Sequence, residues 1–285
     1  MRLKIRPATR VEFATAIDWA AAEGWNPGLG DLEAFHAADP NGFLMGWLGD
    51  VPVSSISVVR YGDGFGFLGF YIVAPEFRGR GFGLATWQAG LDHLNGRVIG
   101  LDGVVEQLEN YRQSGFVLAG RNIRFRGNPD FGRAGHPQHK IEKIATVDLA
   151  AVTGYDRQFF PGDRSGFVRD WVRDQSDRVR MSRFVTLGDR LAGYGTIRKC
   201  RKGYKIGPLF AETSAIALEL IACLCQEYGS EGEINLDVPE GNAEGLAIAK
   251  QLGLAPVFET ARMYLGNAPD LPIGKIFGVT TFELG

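Results

Sequence analysis

The segment that most limits the fold runs from Ile72 to Gly83, Ile-Val-Ala-Pro-Glu-Phe-Arg-Gly-Arg-Gly-Phe-Gly, and leads into the helix-forming run Leu84 to Leu94. Apolar Ile72 and Val73 end a strand pattern, Pro75 stops it, and a glycine-rich turn with two arginines opens a helix. The glycines let the backbone come close to a ligand. The free amide N–H groups and the dipole of a helix start favour negative charge there. Arg78 and Arg80 add side chains that donate charge-assisted hydrogen bonds to phosphate oxygens. The turn suits a polyphosphate.

Other phosphate motifs fit less well. Gly79, Gly81 and Gly83 give G-x-G-x-G, with Leu84 in the sixth position, and the turn lies deep in the chain rather than after a first strand. Asp102 follows about 20 residues on, a partial match to the acidic residue of a dinucleotide site. A P-loop needs Lys followed by Ser or Thr, and neither is present. A solvated Arg/Gly turn is the plain alternative.

The stretch Val73 to Gly83 resembles the acetyl-CoA pyrophosphate loop of the GNAT superfamily of N-acetyltransferases, whose pattern is Q/R-x-x-G-x-G/A. Arg78, Gly81 and Gly83 occupy the patterned positions. A second segment begins at Leu101-Asp102 and ends in Asn110-Tyr111-Arg112-Gln113-Ser114-Gly115-Phe116, similar to the family's other acetyl-CoA segment. The resemblance implies acetyl-CoA as co-substrate. Its phosphates would meet the backbone N–H groups of Gly79, Arg80, Gly81, Phe82, Gly83 and Leu84, with the side chains of Arg78 and Arg80. Backbone amides at Tyr71, Ile72 and Val73 would hold the acyl carbonyl and pantetheine, and Asn110 would add a hydrogen bond. A splayed sheet is implied, in which two central strands part around the thioester.

Amine acetylation needs a neutral amine, an aligned thioester, a stabilised oxyanion and a proton for the departing thiolate. Tyr111 is expected as the general acid, since a phenol of pKa about 10 stays protonated at neutral pH. Its position before Gly115-Phe116 matches the family's frequent acid; a packing aromatic is the alternative. The base stays open among Glu23, Asp102, Glu106, Glu109 and a water relay. Asp102, at the end of a central strand, is taken as base or amine-binding group. The loop Glu23 to Gly28 lies where the family covers its acceptor. Glu23, Trp25 and Asn26 are expected there, with Trp25 offering an aromatic face to an amine.

The chain of 285 residues has room for two ordinary domains, and the Gly/Pro-rich stretch from Gly127 to Lys140 is a candidate boundary. The flanking portions share a pattern. Gly49-Asp50 and Gly188-Asp189 each introduce a hairpin. Leu101-Asp102 and Leu236-Asp237 each precede a helix that ends at Gly-Phe or Gly-Leu. The expected architecture is α/β, a mixed splayed β-sheet flanked by helices, present twice in tandem: residues 1–135 binding acetyl-CoA and residues 136–285 a degenerate copy. The pattern resembles the two-domain, YitH-like members of the superfamily. After Tyr204 to Phe210 the second copy has Glu212 and Thr213-Ser214 in place of an Arg/Gly turn, so one CoA per chain is expected. Substrate recognition, dimerisation to a homodimer or support of the first domain are its open roles.

A formal net charge of -2 gives no global field for nucleic acid, and Arg121, Arg124 and Arg126 read as solvated or ligand-facing. No apolar run is long enough to span a membrane. Cys200, Cys223 and Cys225 make an odd count, which argues for a reducing cytoplasm rather than a disulfide framework. The pair His136 and His139 has no cysteine or carboxylate cluster in the sequence to complete a metal set. The function expected is acetyl transfer from acetyl-CoA to a small amine by direct attack in a ternary complex. A non-catalytic acyl-CoA sensor and a protein or peptide acetyltransferase are the alternatives, and a pocket closed by the second domain would favour a small acceptor.

Overall fold

The computed structural model describes residues 2–132, 138–174, 179–228 and 232–285. The first half contains β1 (Lys4–Pro7), α1 (Arg10–Ala22), α2 (Asp31–Ala38), β2 (Phe43–Leu48), β3 (Val51–Tyr61) and β4 (Phe65–Val73). It continues with α3 (Phe82–His93), β5 (Val98–Val104), α4 (Leu108–Gln113) and β6 (Val117–Gly127). The second half contains β7 (Ile141–Glu142), α5 (Leu149–Asp156), α6 (Ser165–Trp171), β8 (Arg180–Leu187), β9 (Arg190–Lys199) and β10 (Tyr204–Ala211). Then follow α7 (Ser214–Tyr228), β11 (Ile234–Pro239), α8 (Ala243–Gln251), β12 (Ala255–Leu265) and β13 (Ile276–Gly278).

Local chemistry sets these boundaries. Thr9 and Glu12 form a capping box at the start of α1. Gly49 and Gly188 take positive φ, 63° and 60°, at the turns of the two expected hairpins. Thr213 caps α7 by accepting from the Ile216 N–H at 3.3 Å.

Among the described residues the strands form one mixed sheet ordered β1-β2-β3-β4-β5-β12-β6-β11-β10-β9-β8-β7, with β13 added to β10. The order is a palindrome about β12 and β6. Each half is a run of antiparallel strands with one parallel pair, β4 with β5 and β10 with β11. The halves exchange their closing strands: β12 lies against β5, and β6 lies against β11. The tandem mixed fold expected from sequence is present, but the two copies interlock rather than sit side by side.

The exchange places charges in the interior. Arg124 on β6 grips Asp237 on β11 through two hydrogen bonds of 2.6 and 2.7 Å, with both side chains buried. Arg126 donates to Asn235 at 2.9 Å, and Arg121 pairs with Glu259 at 3.3 Å. The reading of these arginines as solvated or ligand-facing is corrected for Arg124, which staples exchanged strands together; Arg121 stays substantially exposed, and Arg126 is half-buried. Aromatic packing also crosses the halves, as Phe35 of α2 stacks on Trp171 of α6 with centroids 5.7 Å apart. No helix among the described residues is long and apolar enough to cross a membrane.

Candidate active site

β4 and β5 pair only over Phe65–Leu68 and Val98–Leu101. Beyond that point β4 bulges against β3. Ser55 faces Ile72 and Ser57 faces Gly69, so Phe70 and Tyr71 together oppose Ile56. Phe70 has φ of 46°, a left-handed conformation that is costly for a bulky residue. The Ser55 hydroxyl holds it by donating to the Phe70 carbonyl at 2.8 Å, and Phe13 and Phe35 pack edge-on against its ring. A bulge bends its strand, and here β4 turns away from β5. A cavity of about 720 Å³ opens between them.

One wall is the β4 stretch that includes Tyr71, Ile72 and Val73, the strand residues expected to face the acyl chain. At its end the Arg/Gly turn begins, with Gly79 and Gly81 at φ 74° and 80°. The N-cap of α3 is Gly81, which has no side chain to cap with. The first N–H groups of α3 therefore have no partner within the helix or at its cap. Helices α5 and α8 differ, since Asp148 and Asn242 cap them. Tyr71 crosses below the turn, so that a Cβ on Gly83 would meet its hydroxyl at 2.8 Å. Phe82, Gly83 and exposed Leu84 complete the helix start outside the cavity wall. The turn has the open backbone donors that a phosphate chain needs.

The two arginines differ. Arg80 is exposed, its guanidinium 5.6 Å from the Phe77 ring. Arg78 is folded back, donating to the Val73 carbonyl at 2.9 Å and pairing with Glu23. Arg78 and Glu23 thus close one end of the cavity together.

Tyr111 forms part of the opposite wall, buried, with its ring stacked on Trp87 at 5.6 Å. It fits because residue 103 is glycine; a Cβ there would collide with the Tyr111 ring. Burial, with Tyr71 and Glu106 adding to it, pushes the phenol above its ordinary pKa, so it is protonated at neutral pH.

Asp102 also reaches the cavity wall, but its oxygens are engaged. Arg262 of β12 donates to both, at 2.8 and 2.6 Å, and Asn122 of β6 donates at 2.7 Å. As a free base Asp102 is therefore corrected by its geometry: three donors hold it. Glu109 is exposed and pairs with Arg112 at 3.7 Å, away from the wall. Glu106 is exposed at the rim.

Trp25 lines the cavity, half-buried, and its carbonyl accepts from Arg124 at 3.0 Å and Lys205 at 3.1 Å. Asn26 does not reach the cavity. At φ 53° it turns toward the second half, where its amide donates to the Lys202 carbonyl at 2.8 Å and accepts from the Lys202 N–H at 3.1 Å. Its expected contact with an acceptor is corrected to a structural one. Asn110 is exposed and donates to Gln107 at 2.6 Å, outside the cavity wall. Of the histidine pair, His139 bonds Glu219 at 3.1 Å, and His136 lies outside the described residues. Among the described residues no His, Cys, Asp or Glu cluster is able to hold a metal ion.

Beyond the neighbouring β4 and β5 backbone, four lining residues of the second half carry no mark in the sequence: Phe258 and Thr260 on β12, and Phe282 and Glu283 in the segment after β13.

The second half repeats the parting of strands and partly fills it, leaving a cavity of about 360 Å³ lined by Phe210, Pro239 and Ile276. β10 and β11 pair over Tyr204–Ile206 and Ile234–Leu236, and β10 bulges against β9 between Ile206 and Leu209. Into this opening comes β13, paired antiparallel with Leu209 and Phe210. Where the first half has its Arg/Gly turn, Glu212 is tied to Lys275 at 2.7 Å and to the Tyr155 hydroxyl at 3.3 Å.

Comparison with known proteins agrees with this geometry. A model of the acetyltransferase (GNAT) family matches residues 11–116, and a model of an acetyltransferase (GNAT) domain matches residues 152–278. The chain is 33% identical over 280 residues to the holothin acyltransferase of Pseudoalteromonas sp. (strain SANK 73390), covering 98% of this chain and 94% of that protein. An uncharacterised N-acetyltransferase of Bacillus subtilis (strain 168), YitH, is 24% identical over 219 residues, 76% of each chain. A putative acetyltransferase structure from Pyrococcus horikoshii superposes with a TM-score of 0.81 at 21% identity, covering 99% of this chain and 96% of that one. A tandem GNAT protein from the clavulanic acid biosynthesis pathway gives a TM-score of 0.65 at 14% identity, over 94% and 100% of the chains. Two strand openings, one lined for a ligand and one partly filled by the chain itself, thus belong to a tandem member of the GNAT superfamily of acetyltransferases, an N-acyltransferase.

Proposed function

We propose that the protein transfers an acetyl group from acetyl-CoA to a small amine, by direct attack in a ternary complex between β4 and β5. The observation that carries this reading is the inequality of the two openings. The first keeps a lined cavity of about 720 Å³ that reaches Arg78 and Gly79 of the turn before an uncapped helix, whereas β13 pairs into the second and leaves a smaller cavity of about 360 Å³ beside it. Backbone groups at Tyr71, Ile72 and Val73 would align the thioester, as an extended strand edge aligns any added chain. The start of α3 and Arg80 would hold the phosphates. Tyr111 keeps its proton at neutral pH and would give it to the departing thiolate. Asp102 would orient Arg262 and Asn122 rather than accept a proton.

A small acceptor is favoured because the second half closes one side of the cavity with Phe258, Thr260, Phe282 and Glu283. A peptide would need that side open. One acceptor follows by analogy from the name of the Pseudoalteromonas relative, a holothin acyltransferase. A reducing cytoplasm is the compartment this reading fits.

The test is release of free thiol from acetyl-CoA across a panel of small amines, amino acids, polyamines and peptides. Turnover with a small amine is the expected result. Tight acetyl-CoA binding with no turnover of any acceptor would make the protein a sensor, and turnover of peptides alone would overturn the small-acceptor reading.

A further inference from the structure

We propose that Glu283 is the carboxylate that binds the acceptor's ammonium group and takes its proton, so that transfer in the first half depends on a residue of the second. This role rests on the acetyl-transfer reading above and names the acceptor class: a primary amine carried on a flat apolar group.

The position of Glu283 is fixed from several sides. Its backbone lies against Gly69, the residue at which β4 leaves β5. A Cβ on Gly69 would collide with the Glu283 carbonyl and lie 2.9 Å from its Cα. The Ser57 hydroxyl donates to that carbonyl at 3.4 Å, and the Tyr61 hydroxyl donates to the Leu284 carbonyl at 3.0 Å. The Leu284 N–H donates to the Thr281 hydroxyl at 2.8 Å, and Arg164 donates to the Gly285 carbonyl at 2.8 Å. A carboxylate on so firmly held a backbone is placed in advance, which is what a binding group needs.

Its chemistry is unfinished. Glu283 is 3% exposed, and its Oε2 is buried with no hydrogen-bond partner. A buried polar atom left in that state is destabilising, and more so for a charged group. The charged neighbours that face it are Arg124 on β6 and Lys205 on β10. The hydrogen bonds of Arg124 go to Asp237 and the Trp25 carbonyl, and that of Lys205 goes to the same carbonyl. The other carboxylates of the wall are spoken for or solvated: Asp102 by Arg262 and Asn122, Glu23 by Arg78, Glu106 at the exposed rim. An ammonium N–H supplies the donor that Glu283 lacks.

The shape of the acceptor follows from what surrounds the carboxylate. Phe70, Phe258, Phe282 and Trp25 line the same cavity, and the rings of Phe258 and Phe282 lie 6.2 Å apart. Aromatic rings favour a flat apolar body; Arg124 already stands over the Phe258 and Phe282 rings, at 5.7 and 4.7 Å.

Bonds and protons balance across the step. The ammonium gives one proton to Glu283. The neutral nitrogen bonds to the acyl carbon, the C–S bond breaks, and the thiolate takes a proton from Tyr111. A second proton leaves the nitrogen and restores Tyr111, and Glu283 releases the first to solvent. The products are an amide, a thiol and one proton.

The test uses the full chain saturated with CoA, and benzylamine as probe with benzyl alcohol as its uncharged counterpart. Wild type should bind benzylamine about tenfold more tightly than the alcohol, the size of one charged hydrogen bond. Glu283→Gln should erase that preference, and Glu283→Asp should keep part of it. CoA affinity and melting temperature should stay near wild type in both, which a purely structural role would not allow. With acetyl-CoA and an amine that wild type turns over, Glu283→Gln should lower kcat/KM by about 10²-fold or more. If Glu283→Gln does not fold, a reduced preference in folded Glu283→Asp supports the role in its place. An unchanged preference in the variants, or none in wild type, overturns the role of Glu283. Wild type that prefers benzylamine through Glu283 yet releases no thiol with any amine overturns the acetyl-transfer reading instead.

Discussion

Arg262 on β12 donates to both carboxylate oxygens of Asp102 on β5, and Arg124 on β6 does the same to Asp237 on β11. The two pairs are related by the palindrome of the sheet. In each, the aspartate stands on a half's own strand and the arginine on the strand received from or given to the other half. Burying such a pair costs solvation, and removing one partner leaves a charge stranded.

Arg124→Met is therefore expected to destabilise the chain by about 3–5 kcal/mol, as read from the denaturant midpoint. Adding Asp237→Leu should recover much of the loss, because the carboxylate stranded by the first substitution is then gone. A double variant no more stable than Arg124→Met would show that packing, not charge, carries the effect.

One CoA should bind per chain. The helix start after Gly81 is uncapped, whereas Thr213 caps its counterpart and β13 pairs into the opening beside it. Calorimetry should give a stoichiometry near one, and Arg80→Ala should weaken binding by about tenfold, the worth of one charged hydrogen bond. Two sites of similar affinity would mean that β13 is displaced by ligand.

Tyr111→Phe keeps the ring against Gly103 and Trp87 and removes the hydroxyl. With chemistry limiting, kcat should fall by about 10²–10⁴-fold while CoA affinity holds. The pH dependence has a definite sign. Because burial raises the phenol's pKa, the protonated acid persists above the ordinary tyrosine value of about 10. Loss of activity on raising pH should therefore not set in below that value on account of Tyr111. A single-turnover rate unchanged in the Phe variant would reduce Tyr111 to a packing role.

Cys223 should be a poor target for thiol reagents. Burial and a hydrogen bond to Glu227 push its pKa up to about 12, so thiolate is scarce at pH 8. Labelling of the folded protein, followed by mass spectrometry, should modify Cys223 far more slowly than a free cysteine. Modification at the free rate would show that the Glu227 contact does not hold in solution.

The sequence made some of this legible and hid the rest for physical reasons. The Gly-Asp words placed the two hairpin turns, at Gly49 and Gly188, because turn chemistry is local. Helix α3 and its glycine turn were legible for the same reason: positive φ at Gly79 and Gly81 is written in the residues themselves. The exchange of β12 and β6 was not, since strand partners are chosen by contacts more than 100 residues apart, as Arg262 with Asp102 shows. The repeat of Leu-Asp words was a real signal, but its meaning, an arginine waiting on the other half, lay outside either word. Asn26 was misplaced because a loop's direction depends on what it meets, here Lys202. Glu283 had no pattern to betray it; its significance comes only from arriving beside Gly69.

The crossing of the closing strands also decides what can be lost. A shortened chain lacking the second copy would not simply shed a silent neighbour. It would lose the strand between β5 and β6, and both would be left with bare edges open to pairing with other molecules. The second copy is thus retained as part of the fabric of the first, and mutations in either are answerable to both. A half whose own opening is partly plugged still bears the weight of the half whose opening is not.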